Sequence, residues 1–163
     1  MANDNVRVVI LDDVTFLEQR TVHHLLLETV NDITNRAHSL ELTYAPEGPT
    51  ERLRESIFKH NPRGFLHDVA VGIVGVDQKV APHARFVHGG TGIFGPRRSP
   101  IVPRRAKYLT FFWHKAGKWM KVKSVRGQPA QPFTAEAFHV LTREYVPYRV
   151  ERLRAQLRAS RLA

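Results

Sequence analysis

Apolar residues at Val22, Leu26, Val30, Ile33, Ala37 and Leu40 recur in steps of three and four, which predicts one helix face running to about residue 40. Thr15 and Glu18 stand three apart just ahead of it, the spacing of a capping box, and mark its start. Glu28 and Asp32 fall on the other face, where solvation is their expected role. Upstream, Val6-Arg7-Val8-Val9-Ile10-Leu11 is short and β-branched and is stopped by Asp12-Asp13, so it reads as a strand. Pro46-Glu47-Gly48-Pro49 breaks the chain, and Thr50 to Ile57 follows as a short helix or turn. Residues 69 to 76 are a β-rich run, expected as a central strand, whose Gly72 and Gly75 imply bending or close backbone approach.

The second half changes character. Ala106 to Trp113 and Trp119 to Val125 read as two strands joined by the tight connection His114-Lys115-Ala116-Gly117-Lys118. Lys121 and Lys123 alternate with Val122 and Val125, the pattern of a sheet with one wet face. Gly127-Gln128-Pro129-Ala130-Gln131-Pro132 is an extended link to Phe133. From Thr134 a helical pattern resumes, with Phe138, Leu141 and Tyr145 on one side and Glu136 near the start. Pro147 is expected to kink or restart that helix. Beyond it, Val150, Leu153 and Leu157 face one way while Arg152, Arg154, Arg158 and Arg161 face others.

Between these halves lies Pro82 to Arg105, where apolar ends flank a middle of Gly, Pro and Arg that cannot bury its own backbone. It is expected to be a long exposed loop, and such loops in compact domains usually have a task. At 163 residues and 42% hydrophobic content the chain has material for one core. The expected organisation is one domain over residues 1–146, with the loop 89–105 exposed, and a basic helical extension over 147–163. No run approaches the ~18 apolar residues of a membrane span, and the first residues lack the pattern of a secretory signal, so a soluble protein made in the cytoplasm is expected. There is no cysteine, which excludes disulfides and thiolate chemistry.

The formal charge of +10 is unevenly spread: residues 1–50 hold 3 basic and 8 acidic side chains, residues 101–163 hold 14 and 3. A basic half of this kind meets nucleic acid or an acidic protein surface, including the acidic half of a neighbouring copy. Gly90-Thr91-Gly92-Ile93-Phe94-Gly95 has the spacing of a dinucleotide fingerprint, but Pro96, Pro100 and Pro103 forbid the helix that such a motif must open. His83 with His88, or His60 with His67, lack any metal-binding pattern, and no serine sits in a nucleophile elbow, so no enzyme, metal site or cofactor is expected. Phe111, Phe112, Trp113 and Trp119 beside Lys115, Lys118, Lys121 and Lys123 have the composition of a stacking platform for single strands. The simpler expectation is that these aromatics are core on one face, with the lysines outward and available for weak DNA contacts. Arg97, Arg98, Arg104 and Arg105 share the loop with Ile93, Phe94, Ile101 and Val102, and exposed apolar groups beside arginines are the composition of a protein interface.

Three segments carry a resemblance. They are Ala45 to Ile57, which follows a Pro-Thr-Gly-x-Leu-x-x-Ser-Ile-like pattern with Thr50 displaced; His83-Ala84-Arg85-Phe86-Val87-His88-Gly89-Gly90-Thr91, which follows Tyr-Ala-x-Tyr-Val-Glu-x-Gly-Thr with His83 for the aromatic and His88 for the acid; and Gly127 to Phe133, which matches Gly-x-Pro-Ala-x-Pro-Phe. In that order and spacing the chain resembles the neck and tail-completion proteins of tailed phages. The resemblance implies an α+β fold: a long N-terminal helix on a small, mainly antiparallel sheet, a projecting loop and a C-terminal helix. It also implies a non-enzymatic virion protein at the head-to-tail junction, forming a hexameric or dodecameric ring. Its partners would be copies of itself and adjoining connector and tail proteins, with DNA met only non-specifically in the lumen. On that view Ile93, Phe94, Arg97, Arg98, Ile101, Val102, Arg104, Arg105, Arg152, Arg154 and Arg158 make the contacts between subunits or rings. The alternatives are a basic nucleic-acid-binding protein and, behind it, a hydrolase using His60, His67, His83 and His88.

Overall fold

The computed structural model describes residues 19–48, 51–66 and 69–160. The strand expected at Val6 to Leu11 and the capping pair Thr15 and Glu18 lie outside them. The fold is α+β, and the chain forms two compact units. One comprises the described parts of Met1–Tyr44, Ile57–Val76 and Ala135–Ala163; the other comprises Ala45–Ser56 and Asp77–Thr134.

The first unit is built on α1, Gln19–Tyr44, which runs four residues past the expected end. Leu26, Val30, Ile33, Ala37 and Leu40 are all buried, and Val22 packs beside them, so the apolar stripe read from the spacing is the core face. Two antiparallel strands, β1 (Ile57–Leu66) and β2 (Val69–Val76), pack on it. β2 comes close at Gly72, where a Cβ would run into the Thr34 hydroxyl, which explains a glycine inside a strand. β1 was not apparent in the sequence: Lys59, His60, Asn61, Pro62 and Arg63 interrupt any alternation, and the register shifts between His60 and Arg63.

The unit is closed by a 28-residue C-terminal helix: α4 (Phe133–Val140), a π-helical turn (Leu141–Tyr145) and α5 (Val146–Ser160). Ala137 and Leu141 pack with Ile33, Ala37 and Leu40, and Leu153 and Leu157 pack with Leu26, Val30 and Ala70. Each such leucine contributes roughly 1.5–3 kcal/mol through burial. The segment after Pro147, expected as an extension, therefore supplies core residues to this unit. Pro147, expected to kink or restart the helix, follows directly on the π-helical turn, and α5 starts one residue before it. The Val146 N–H donates to the Leu141 carbonyl across a widened turn, which lies where the proline ring would press on the Arg143 carbonyl.

The second unit holds α2 (Arg52–Glu55), α3 (Ala84–Gly89), and a hairpin of β3 (Leu109–Trp113) and β4 (Lys118–Val122). Its buried side chains are mostly small: Ala45, Ala81 and Ala84, with Leu53 and Phe133 as larger anchors. The β3–β4 connection turns through a short 3-10 segment, His114–Ala116, and closes on Gly117 in the left-handed region, as its sequence position predicts.

Candidate interaction surface

The loop from Gly89 to Arg105 is not a free arm. The Thr91 N–H donates to the Gln128 carbonyl at 2.9 Å, the Ile93 N–H to Arg126 at 2.8 Å, and Ile101 and Val125 exchange both backbone bonds at 2.8 and 3.0 Å. Ahead of it, the Gln131 N–H reaches the Val87 carbonyl at 2.9 Å, and Gln128 N–H donates to Thr91 Oγ1 at 3.0 Å. This close approach depends on Gly92 and Gly127, both at positive φ: a Cβ on Gly92 would strike the Arg126 carbonyl, and one on Gly127 the Thr91 carbonyl. The loop is therefore tied down at Thr91, Ile93 and Ile101 while most of its residues stay exposed. The loop's glycines serve to bind it to Val125–Gln128, a pairing between segments 24 to 37 residues apart that no local pattern announces.

What the lacing leaves outward is the set named from the sequence. Phe94, Ile101 and Val102 are exposed, as are Arg97, Arg98, Arg104 and Arg105, while Ile93 is half-buried. Phe86, Thr91, Pro96, Arg97, Ile101 and Val102 line an open groove of about 550 Å³ that is mostly apolar. Arg98 adopts φ 46°, an uncommon conformation for a side-chain-bearing residue.

The hairpin departs most from expectation. Its aromatics are not a core layer: Phe111 is 37% exposed, Phe112 40%, Trp113 47% and Trp119 71%. Register explains how they are shared out. Phe111 sits opposite Met120 and Trp113 opposite Lys118, on the face that carries the half-buried Leu109 and Val122; Phe112 sits opposite Trp119 and Thr110 opposite Lys121, on the other. Phe112 and Trp119 meet edge to face at 5.8 Å, and His114 meets Phe112 at 5.1 Å. Lys121 Nζ lies 4.9 Å and Lys107 Nζ 5.8 Å from the Tyr108 ring centre. Lys115, Lys118, Lys121 and Lys123 are all exposed.

From Gln78 to Ala135 the chain carries twelve Lys and Arg and neither Asp nor Glu. Asp77 and Glu136 flank the stretch, and apart from Lys79 beside Asp77 its cations have no acidic neighbour in sequence. On α5 the situation differs. Arg152 donates to Tyr148 Oη at 3.2 Å, a bond that holds its guanidinium pKa above the ordinary value, and Arg154 pairs with Glu151 at 2.7 Å; Arg158 is exposed. Arg149 is an unforeseen structural cation, 5% exposed and paired with Asp32 at 2.8 Å, so Asp32 is not simply a solvated carboxylate.

His60 tilts against Phe58 at 5.0 Å, His88 meets the edge of Phe133 at 6.0 Å, His83 precedes α3, and His67 lies outside the described residues. Among the described residues no group of three or more His, Asp or Glu is placed to hold a metal ion. No helix among them is long and apolar enough to cross a membrane. Compared with known families, curated proteins and solved structures, the chain finds no match.

Proposed function

We propose that this chain is a structural subunit of a phage head-to-tail connector, repeating as a ring that joins the portal region of the capsid to the tail. The observation that carries the reading is the joining of two of the segments on which the resemblance rests. The Phe86 to Thr91 stretch and the Gly127 to Phe133 stretch are bound backbone to backbone, and this base presents Phe94, Ile101 and Val102 outward among four arginines. Exposed apolar residues rimmed by arginine suit a surface that another polypeptide covers. The hairpin separately leaves Phe111 and Trp113 37% and 47% exposed.

A ring needs a heterologous contact, with different patches of one copy meeting on the next. The acid-free stretch and the carboxylates of residues 1–50 are such a pair. Sedimentation velocity with native mass spectrometry tests this on the full chain. A closed oligomer, lost in Phe94→Ser combined with Val102→Asp and weakened by high salt, is the expected result. Point substitutions are preferable to deleting residues 93–102, because Ile93 and Ile101 hold the loop to Arg126 and Val125. A double variant that assembles as the parent does would overturn the proposal.

A further inference from the structure

We infer that the Phe112–Trp119 face of the hairpin binds single-stranded nucleic acid, by stacking bases on exposed rings between lysines that meet the phosphates. The inference does not depend on the ring proposal. A chain that stays monomeric yet binds would refute the ring and leave this intact.

Among the described residues Trp119 is the most exposed of the large apolar side chains, and its only ring partner there is the edge-on contact with Phe112. An indole presented in this way costs solvation in the free protein and offers a broad π face to a base. By register Phe112, Trp119, Thr110 and Lys121 share this face, and Lys121 and Lys107 both approach the ring of Tyr108, the residue before β3. Two residues along a strand advance about 6.8 Å, the step from Thr110 to Phe112 on this face, and Tyr108 lies just ahead of the strand. Rings and cations thus lie together on and beside one strand pair.

Charge selects the occupant. A second copy of this chain or another protein would be held here by carboxylates placed to match Lys107, Lys121 and Lys123. A nucleic acid strand supplies negative charge at every residue, and needs no such match to satisfy a stretch holding twelve cations and no acid. A duplex keeps its bases stacked and paired, so it meets the lysines but not the rings; the exposed aromatics favour the single strand.

The test is a titration of the full-length protein into end-labelled oligodeoxythymidylate, oligouridylate and a duplex, read by fluorescence anisotropy, each longer than the roughly 4–16 nucleotides one small binding fold covers. A saturable rise in anisotropy with either single strand, tighter than with the duplex, supports the inference, and the better of the two names the source. Trp119→Ala and Phe112→Ala should each weaken single-strand binding roughly 5- to 150-fold. The dependence on salt should be unchanged in those variants. Lys121→Gln should lessen the slope of log K against log salt by about 0.7. Trp119→Phe, which keeps a stacking ring, should retain most of the affinity. Alanine variants that bind as well as the parent, a duplex that binds as tightly as single strands, or an acidic polypeptide such as polyglutamate that competes on equal terms would each overturn it.

Discussion

Arg149 shows how much depends on one side chain's surroundings. Its guanidinium is almost wholly enclosed and meets the half-exposed carboxylate of Asp32. Removing the acid would strand a buried charge, so Asp32→Asn should lower unfolding free energy by about 1–3 kcal/mol in urea titrations. Pairing Asp32→Asn with Arg149→Met should recover most of that loss, since an apolar residue of similar length needs no counter-charge. Gly72 gives a second test at this scale. A methyl group there meets the hydroxyl of Thr34, which donates to the Val30 carbonyl at 2.7 Å. Gly72→Ala should therefore destabilise the protein, and Thr34→Ala in the same chain should reverse part of that effect in a double-mutant cycle. Neither pair was legible in the sequence. Periodicity put Asp32 on the polar side of its helix, and it does lie there, but which cation would cross to meet it depends on how α5 packs.

Among elements, those with a strong local rhythm were readable and those held by distant partners were not. The apolar stripe of α1 and the tight turn at Gly117 follow from spacing and composition alone. β1 did not announce itself, because its polar middle borrows regularity from β2. Alternation marks the hairpin as strands and predicts a core around its rings that the unit does not build: it tells which residues share a face, not whether anything covers it. Stability should reflect this. Trp119→Ala, at a largely exposed position, should shift the urea midpoint by the equivalent of less than about 0.5 kcal/mol. Leu141→Ala, fully buried against α1, should cost about 2–5 kcal/mol. The lacing of the loop onto Arg126 and Gln128 predicts a large penalty from a single methyl group. Gly127→Ala, at φ +91° and against the Thr91 carbonyl, should cost at least about 1–3 kcal/mol and release amide protection at Thr91 and Ile93 in hydrogen exchange.

For the whole molecule, charge says more than shape. A chain whose acids gather early and whose middle carries twelve cations without an acid has counter-charges to find outside that stretch. A ring of such subunits would pair unlike regions around an axis and leave a basic face toward whatever passes through. The connector proposal thus joins the resemblance in three segments to the outward apolar and arginine surface. Electron cryomicroscopy of assembled particles, with this chain located in the density, tests it most directly. The proposal predicts a symmetric ring of this chain between capsid and tail, with Phe94, Ile101 and Val102 buried against a neighbouring polypeptide. Particles whose junction lacks the chain, or in which those three residues face solvent from every subunit, would contradict it.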